Sequence, residues 1–76
     1  MNKERRSKLE AIKEQLETLF NELEEIQNDE QDAFDNMPEG LQCSERGEKA
    51  QQAISDIENA VCSIAEAITN IEDAGA

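Results

Sequence analysis

Apolar side chains recur along this chain in two separate stripes with one rhythm. In the first half they are Leu9, Ile12, Leu16, Leu19, Leu23 and Ile26, spaced 3, 4, 3, 4, 3. In the second half Ile54, Ile57, Val61, Ile64, Ile68 and Ile71 repeat the same intervals. This is the a/d repeat of a coiled-coil helix, and no alternating strand pattern competes with it. The intervening Glu, Gln, Lys, Ala and Leu residues are good helix formers.

An antiparallel hairpin requires facing residues whose numbers add to a constant. The pairs 9/71, 12/68, 16/64, 19/61, 23/57 and 26/54 all add to 80, each matching an a with a d position. Their centre is Gly40, inside the Met37–Cys43 segment that also carries the breakers. Pro38 disfavours helix at Met37, and Met37-Pro38-Glu39-Gly40 suits a type I turn. The expectation is therefore one all-α domain over residues 1–76, an antiparallel, coiled-coil-like helical hairpin. Its first helix covers about 3–36, its turn 37–43 and its second helix about 44–73. Ser44 suits an N-cap, and Glu45 and Glu48 suit the positive end of the second helix. Gly47 fits that first turn poorly. It either makes a small-on-small contact with Ala33 or marks a frayed end. Met37 and Leu41 either close the end of the core or form an exposed recognition tip.

Composition enters next. Seven basic and 19 acidic residues give a net charge of −12, with no histidine and only two aromatic residues. The charge would suit a disordered chain, but the two stripes argue for folding. Lack of histidine removes the usual zinc sites, imidazole bases and Ser-His or Cys-His pairs. The three glycines make no phosphate loop. Asp29, Asp32 and Asp35 lack the glycine and terminal glutamate of a calcium loop. We therefore expect no enzyme activity, catalytic residue, cofactor or metal. With no membrane-length apolar run and no signal-like segment, a cytoplasmic setting with reduced Cys43 and Cys62 is expected.

Charge is unevenly placed. Lys3, Arg5, Arg6, Lys8 and Lys13 make residues 1–13 net +3, leaving −15 on residues 14–76. In a hairpin these cations sit beside Glu66, Glu72 and Asp73; alternatively they form a basic arm for a polyanion. Between Glu14 and Glu45 there is no Lys or Arg. Glu22, Glu24, Glu25, Asp29, Asp32, Asp35 and Glu39 crowd the turn end there, a surface suited to a partner protein's nucleic-acid-binding groove. Glu30, at an a position, reads as a solvated or register-setting residue. Direct nucleic-acid or membrane contact is not expected.

A second interface is also written in the pattern. Ala53, Ala60, Ala67 and Ala74 share the g position, while Phe20 and Phe34 sit at e positions off the strict stripe. These six suggest an oligomer interface, most simply a homodimer forming a four-helix bundle.

The stretch Asp35-Asn36-Met37-Pro38-Glu39-Gly40-Leu41-Gln42, then Ser44-Glu45-Arg46-Gly47-Glu48-Lys49-Ala50, resembles small acidic helical proteins of phages and prophages of Gram-positive bacteria. The resemblance covers about residues 30–70 and is strongest over 35–50. It implies a bacterial host cytoplasm and carries over no functional residue. The expected function is a non-catalytic protein-interaction module, an inhibitor of a host nucleic-acid-handling or defence protein. The alternatives are a structural coiled-coil protein and a sponge binding an anionic small ligand through Arg5, Arg6 and Lys8.

Overall fold

The computed structural model describes residues 1–76 and contains three helices and no strand: α1 (Lys3–Asp35), α2 (Glu39–Gln42) and α3 (Glu45–Gly75). α1 starts where Asn2 can cap it, its side-chain oxygen accepting the Arg5 N–H at 2.9 Å. It ends at Asn36, whose N–H returns to the Asp32 carbonyl at 3.0 Å.

The reversal is tighter and more helical than an isolated turn. Pro38 has φ −55° and ψ 145°, outside the αR conformation a type I turn needs at that position. Its carbonyl instead accepts the N–H groups of Leu41 and Gln42 at 2.9 and 3.1 Å, so Pro38 opens the single turn α2. Gln42 Nε2 then donates to the Phe34 carbonyl at 3.0 Å, tying α2 to the last turn of α1. Ser44 occupies the N-cap of α3 with extended backbone, yet its hydroxyl turns back to donate to the Leu41 carbonyl.

Gly47 is buried for a reason the sequence pattern does not show. A Cβ there would lie 2.1 Å from the Gln42 carbonyl oxygen and 2.6 Å from that of Leu41. The first turn of α3 therefore rests directly on the backbone of α2. Contact with α2, rather than with Ala33 or loss of the first turn, explains the glycine.

α1 and α3 fold back along each other into a rod of 58 × 14 × 12 Å. Its radius of gyration is 17.2 Å, against about 11 Å for a compact chain of this length. A two-helix rod has one seam and little interior. Val61 and Gly47 are the only buried residues.

The seam uses the α3 stripe as expected: Ile54, Ile57, Ile64, Ile68 and Ile71 are half-buried around Val61. On α1 the buried face is rotated. Leu9, Leu16 and Leu23 lie in it, but they alternate with Lys13, Phe20, Gln27 and Phe34. Ile12, Leu19 and Ile26 stay 46%, 49% and 50% exposed. The half-buried residues of the two helices match as 9/75, 13/71, 16/68, 20/64, 23/61, 27/57 and 34/50, which add to 84. The centre thus moves from Gly40 to Gln42, within α2. Rotation towards the e row brings two phenyl rings into the seam, and aromatic burial is a large apolar gain. The Lys13 stem can lie along the seam with its ammonium outside.

Candidate interaction surfaces

The rotated seam gives the rod two unlike edges. One is built from e positions of both helices. There Lys13 Nζ bridges to Glu72 at 3.5 Å, and Phe20 shares a shallow cleft with Glu17, Asn21, Ala65 and Ile68. Phe20 and Phe34 are half-buried within the chain, and Ala65 belongs to this edge. In an antiparallel pair the e rows face one another on one side and the g rows on the other. Ile12, Leu19 and Ile26 therefore lie towards the opposite edge, the one bearing Ala53, Ala60, Ala67 and Ala74. Ala53 and Ala67 are half-buried, and Ala60 and Ala74 are exposed. That edge pairs an apolar row and the alanines with the exposed polar g positions Lys8, Gln15, Glu22 and Asp29 of α1.

Lys13 is the only cation that reaches across the helices. It lies 3.9 Å from both Glu10 and Glu17 as well as 3.5 Å from Glu72, with a side chain 23% exposed. The Glu10 carboxylate raises its pKa above the ordinary 10.5; burial opposes this, and Glu72 and Glu17 add to the rise. A cation whose pKa is higher folded than unfolded stabilises fully below 10.5 and loses that contribution as pH rises through its folded value. Thermal melts are expected to weaken above about pH 10.5. Lys13→Gln should be less stable than the parent at pH 8 and converge on it at strong alkalinity. Parallel curves for the two proteins would remove this role from Lys13.

The other cations of residues 1–13 are not drawn across to α3. Lys8 pairs with Glu4 on its own helix at 3.4 Å, and Lys3, Arg5 and Arg6 make no ion pair. At the opposite end, Glu22, Glu24, Glu25, Asp29, Asp32, Asp35 and Glu39 are all exposed, and none has a Lys or Arg partner. Asp35 accepts a hydrogen bond from Gln31 Nε2 at 3.0 Å. Neither long helix has a basic residue in its last turn, so the negative end of α1 meets more negative charge. Glu30 is exposed between seam residues Gln27 and Phe34, Met37 is half-buried, and Leu41 is 41% exposed.

Cys43 and Cys62 are free and exposed. No three His, Cys, Asp or Glu side chains are grouped to hold a metal ion. No helix is long and apolar enough to cross a membrane. The chain matches no protein-family model, no curated protein and no solved structure. Its surfaces must be read from their own chemistry. The half-exposed Ile12–Leu19–Ile26 row was the feature hidden from the heptad pattern, because a helix rotation of tens of degrees leaves 3, 4 spacing unchanged.

Proposed function

We propose that this chain is a non-catalytic interaction module that works as a homodimeric four-helix bundle and offers its acidic turn end to a basic surface on a partner protein. The observation that carries the partner surface is charge without counterions: eight exposed carboxylates from Glu22 to Glu39, Glu30 among them, none in an ion pair. A rigid helical rod holds such charges at fixed spacing, as an imitation of a phosphate backbone would require. Dimerisation is supported by the apolar edge that one hairpin leaves open. The likeness of residues 35–50 to phage proteins supplies the setting, in which the basic surface belongs to a host nucleic-acid-handling or defence protein.

Capture from bacterial lysate on the immobilised protein tests the partner surface. The expected catch is a basic protein retained at low ionic strength and released in about 0.5 M salt, where screening acts within a few ångströms. Glu24→Lys, Asp35→Lys and Glu39→Lys together should lose that catch while helicity is retained. A partner held equally in both salts, or by the triple variant, would sink the acidic-surface reading.

A further inference from the structure

Ile12, Leu19 and Ile26 form a row with a centre of symmetry at Leu19. Half exposed in the single chain, they are flanked on one side by cations and on the other by anions. Towards the N-terminus, Arg5 and Lys8 occupy the next d and g positions. Beyond Ile26, Asp29 and Asp32 occupy the next g and c positions. Between these ends the apolar row is bordered by the g positions Gln15 and Glu22, which exchange places about Leu19, and a face basic at one end and acidic at the other is complementary to itself when reversed. We infer that it is the contact with a second copy of this chain, packed antiparallel across a two-fold axis through Leu19.

Symmetry then fixes the neighbours. A two-fold axis perpendicular to the rods, lying in the plane between two hairpins, can only set α1 against α1 and α3 against α3. Ile12 meets Ile26 of the partner subunit, Leu19 meets its own equivalent, and Arg5 and Lys8 approach the partner's Asp32 and Asp29. A parallel arrangement would instead bring the two acidic ends together.

The alanine row provides an independent check on the level of the axis. Its midpoint lies between Ala60 and Ala67, at 63.5, whereas the residue opposite Leu19 in the observed register is 65. At 1.5 Å per residue the two levels differ by only about 2 Å. One axis therefore serves both helices, with alanines allowing close approach of α3 to its equivalent.

Surface area agrees. The single chain of 8.5 kDa exposes 5606 Å², against about 4,650 Å² for a compact monomer of that mass. The excess is of the order of the ~800 Å² per partner that a standard interface buries. A two-fold pairing along the rod would also take Asp29 and Asp32 out of the free acidic set, leaving Glu22, Glu24, Glu25, Glu30, Asp35 and Glu39.

This inference rests on the dimer proposed above, and the experiment separates the two. Sedimentation equilibrium gives the oligomeric state, and cross-linking gives the axis. In a chain carrying Cys43→Ser and Cys62→Ser, a lone cysteine introduced by Leu19→Cys should form disulfide-linked dimers rapidly under mild oxidation. A lone Ile12→Cys should not, but a mixture of Ile12→Cys and Ile26→Cys chains should link heterologously. Leu19→Glu should raise the dimer dissociation constant at least ~30-fold. Asp29→Lys with Asp32→Lys lowers the net charge from −12 to −8, so relief of general repulsion would strengthen the dimer. The register requires it to weaken, and adding Arg5→Glu and Lys8→Glu to restore it. Circular dichroism confirms that each variant is folded. A dimer that ignores Leu19→Cys and the charge exchange overturns this axis while leaving dimerisation intact. A folded monomer at high micromolar concentration overturns both.

Discussion

Val61→Asp is expected to abolish the folded hairpin at room temperature. Val61 is 8% exposed and is the only buried apolar side chain in the molecule. Its opposite in the observed register is Leu23, midway along the seam. Removing the valine forfeits about 1.5–3 kcal/mol of apolar burial. The incoming carboxylate would lie among isoleucines and leucines with no cation to receive it, adding several kcal/mol. Against a total of roughly 4–11 kcal/mol for a 76-residue domain, that sum decides the outcome. Cys62→Asp places the same charge one residue later on an exposed position and should change stability by no more than about 1 kcal/mol. Far-UV circular dichroism and urea midpoints distinguish them. Equal midpoints would mean that the seam is not where the free energy of folding resides.

Gly47→Ala should be destabilising by about 1–3 kcal/mol although it improves helix propensity. Alanine gains roughly 1 kcal/mol over glycine within a helix. Here, however, the new methyl would sit 2.1 Å from one backbone carbonyl oxygen and 2.6 Å from another. Carbonyls of α2 cannot rotate aside as a long side chain can, so α3 must lift away from α2. Overpacking of this kind costs more than the propensity returns. Gly40→Ala gives the opposite sign. Nothing lies within 4 Å of its added Cβ, and no glycine has positive φ. It should stabilise by about 0.4–1 kcal/mol through the unfolded state. Two glycines seven residues apart thus test the α2–α3 contact by sign alone. A Gly47→Ala chain as stable as the parent would refute that contact.

The amino-acid pattern reveals the helices and their reversal because both are local statements. The 3, 4 rhythm marks long helices, and Pro38 marks where the first must stop. For α3 it also marks the right face, since its a and d positions are all β-branched and no competing row is large. For α1 two rows compete. Leu9, Leu16 and Leu23 belong to either face, while Ile12, Leu19 and Ile26 vie with Lys13, Phe20, Gln27 and Phe34. Periodicity cannot choose between rows 100° apart in sequence order but only tens of degrees from the same leucines. The phenyl rings and the packing of the connection choose.

The connection explains the register as well. A loop centred on Gly40 is what breaker residues suggest. α2 instead adds a helical turn tied to the end of α1 through Gln42, and Gly47 lets α3 start against it. The acidic surface is wholly legible, since exposed charges on a helix need no partner to be located. The apolar edge is not, because it consists of residues that the same pattern assigns to the interior.

The seam also orders the assembly of the hairpin in time. Contacts next to α2 join residues 16 apart, as in 34/50, while those at the open end join residues 66 apart, as in 9/75. Closing the shorter loop sacrifices less chain entropy, so docking should begin at the connection and zip towards the termini. Lys13 and Glu72 lie at the end reached last. Their bridge then acts as a clasp, fastened after the zipper has run and released first. Backbone amides near the two termini should accordingly exchange with solvent well before those flanking α2.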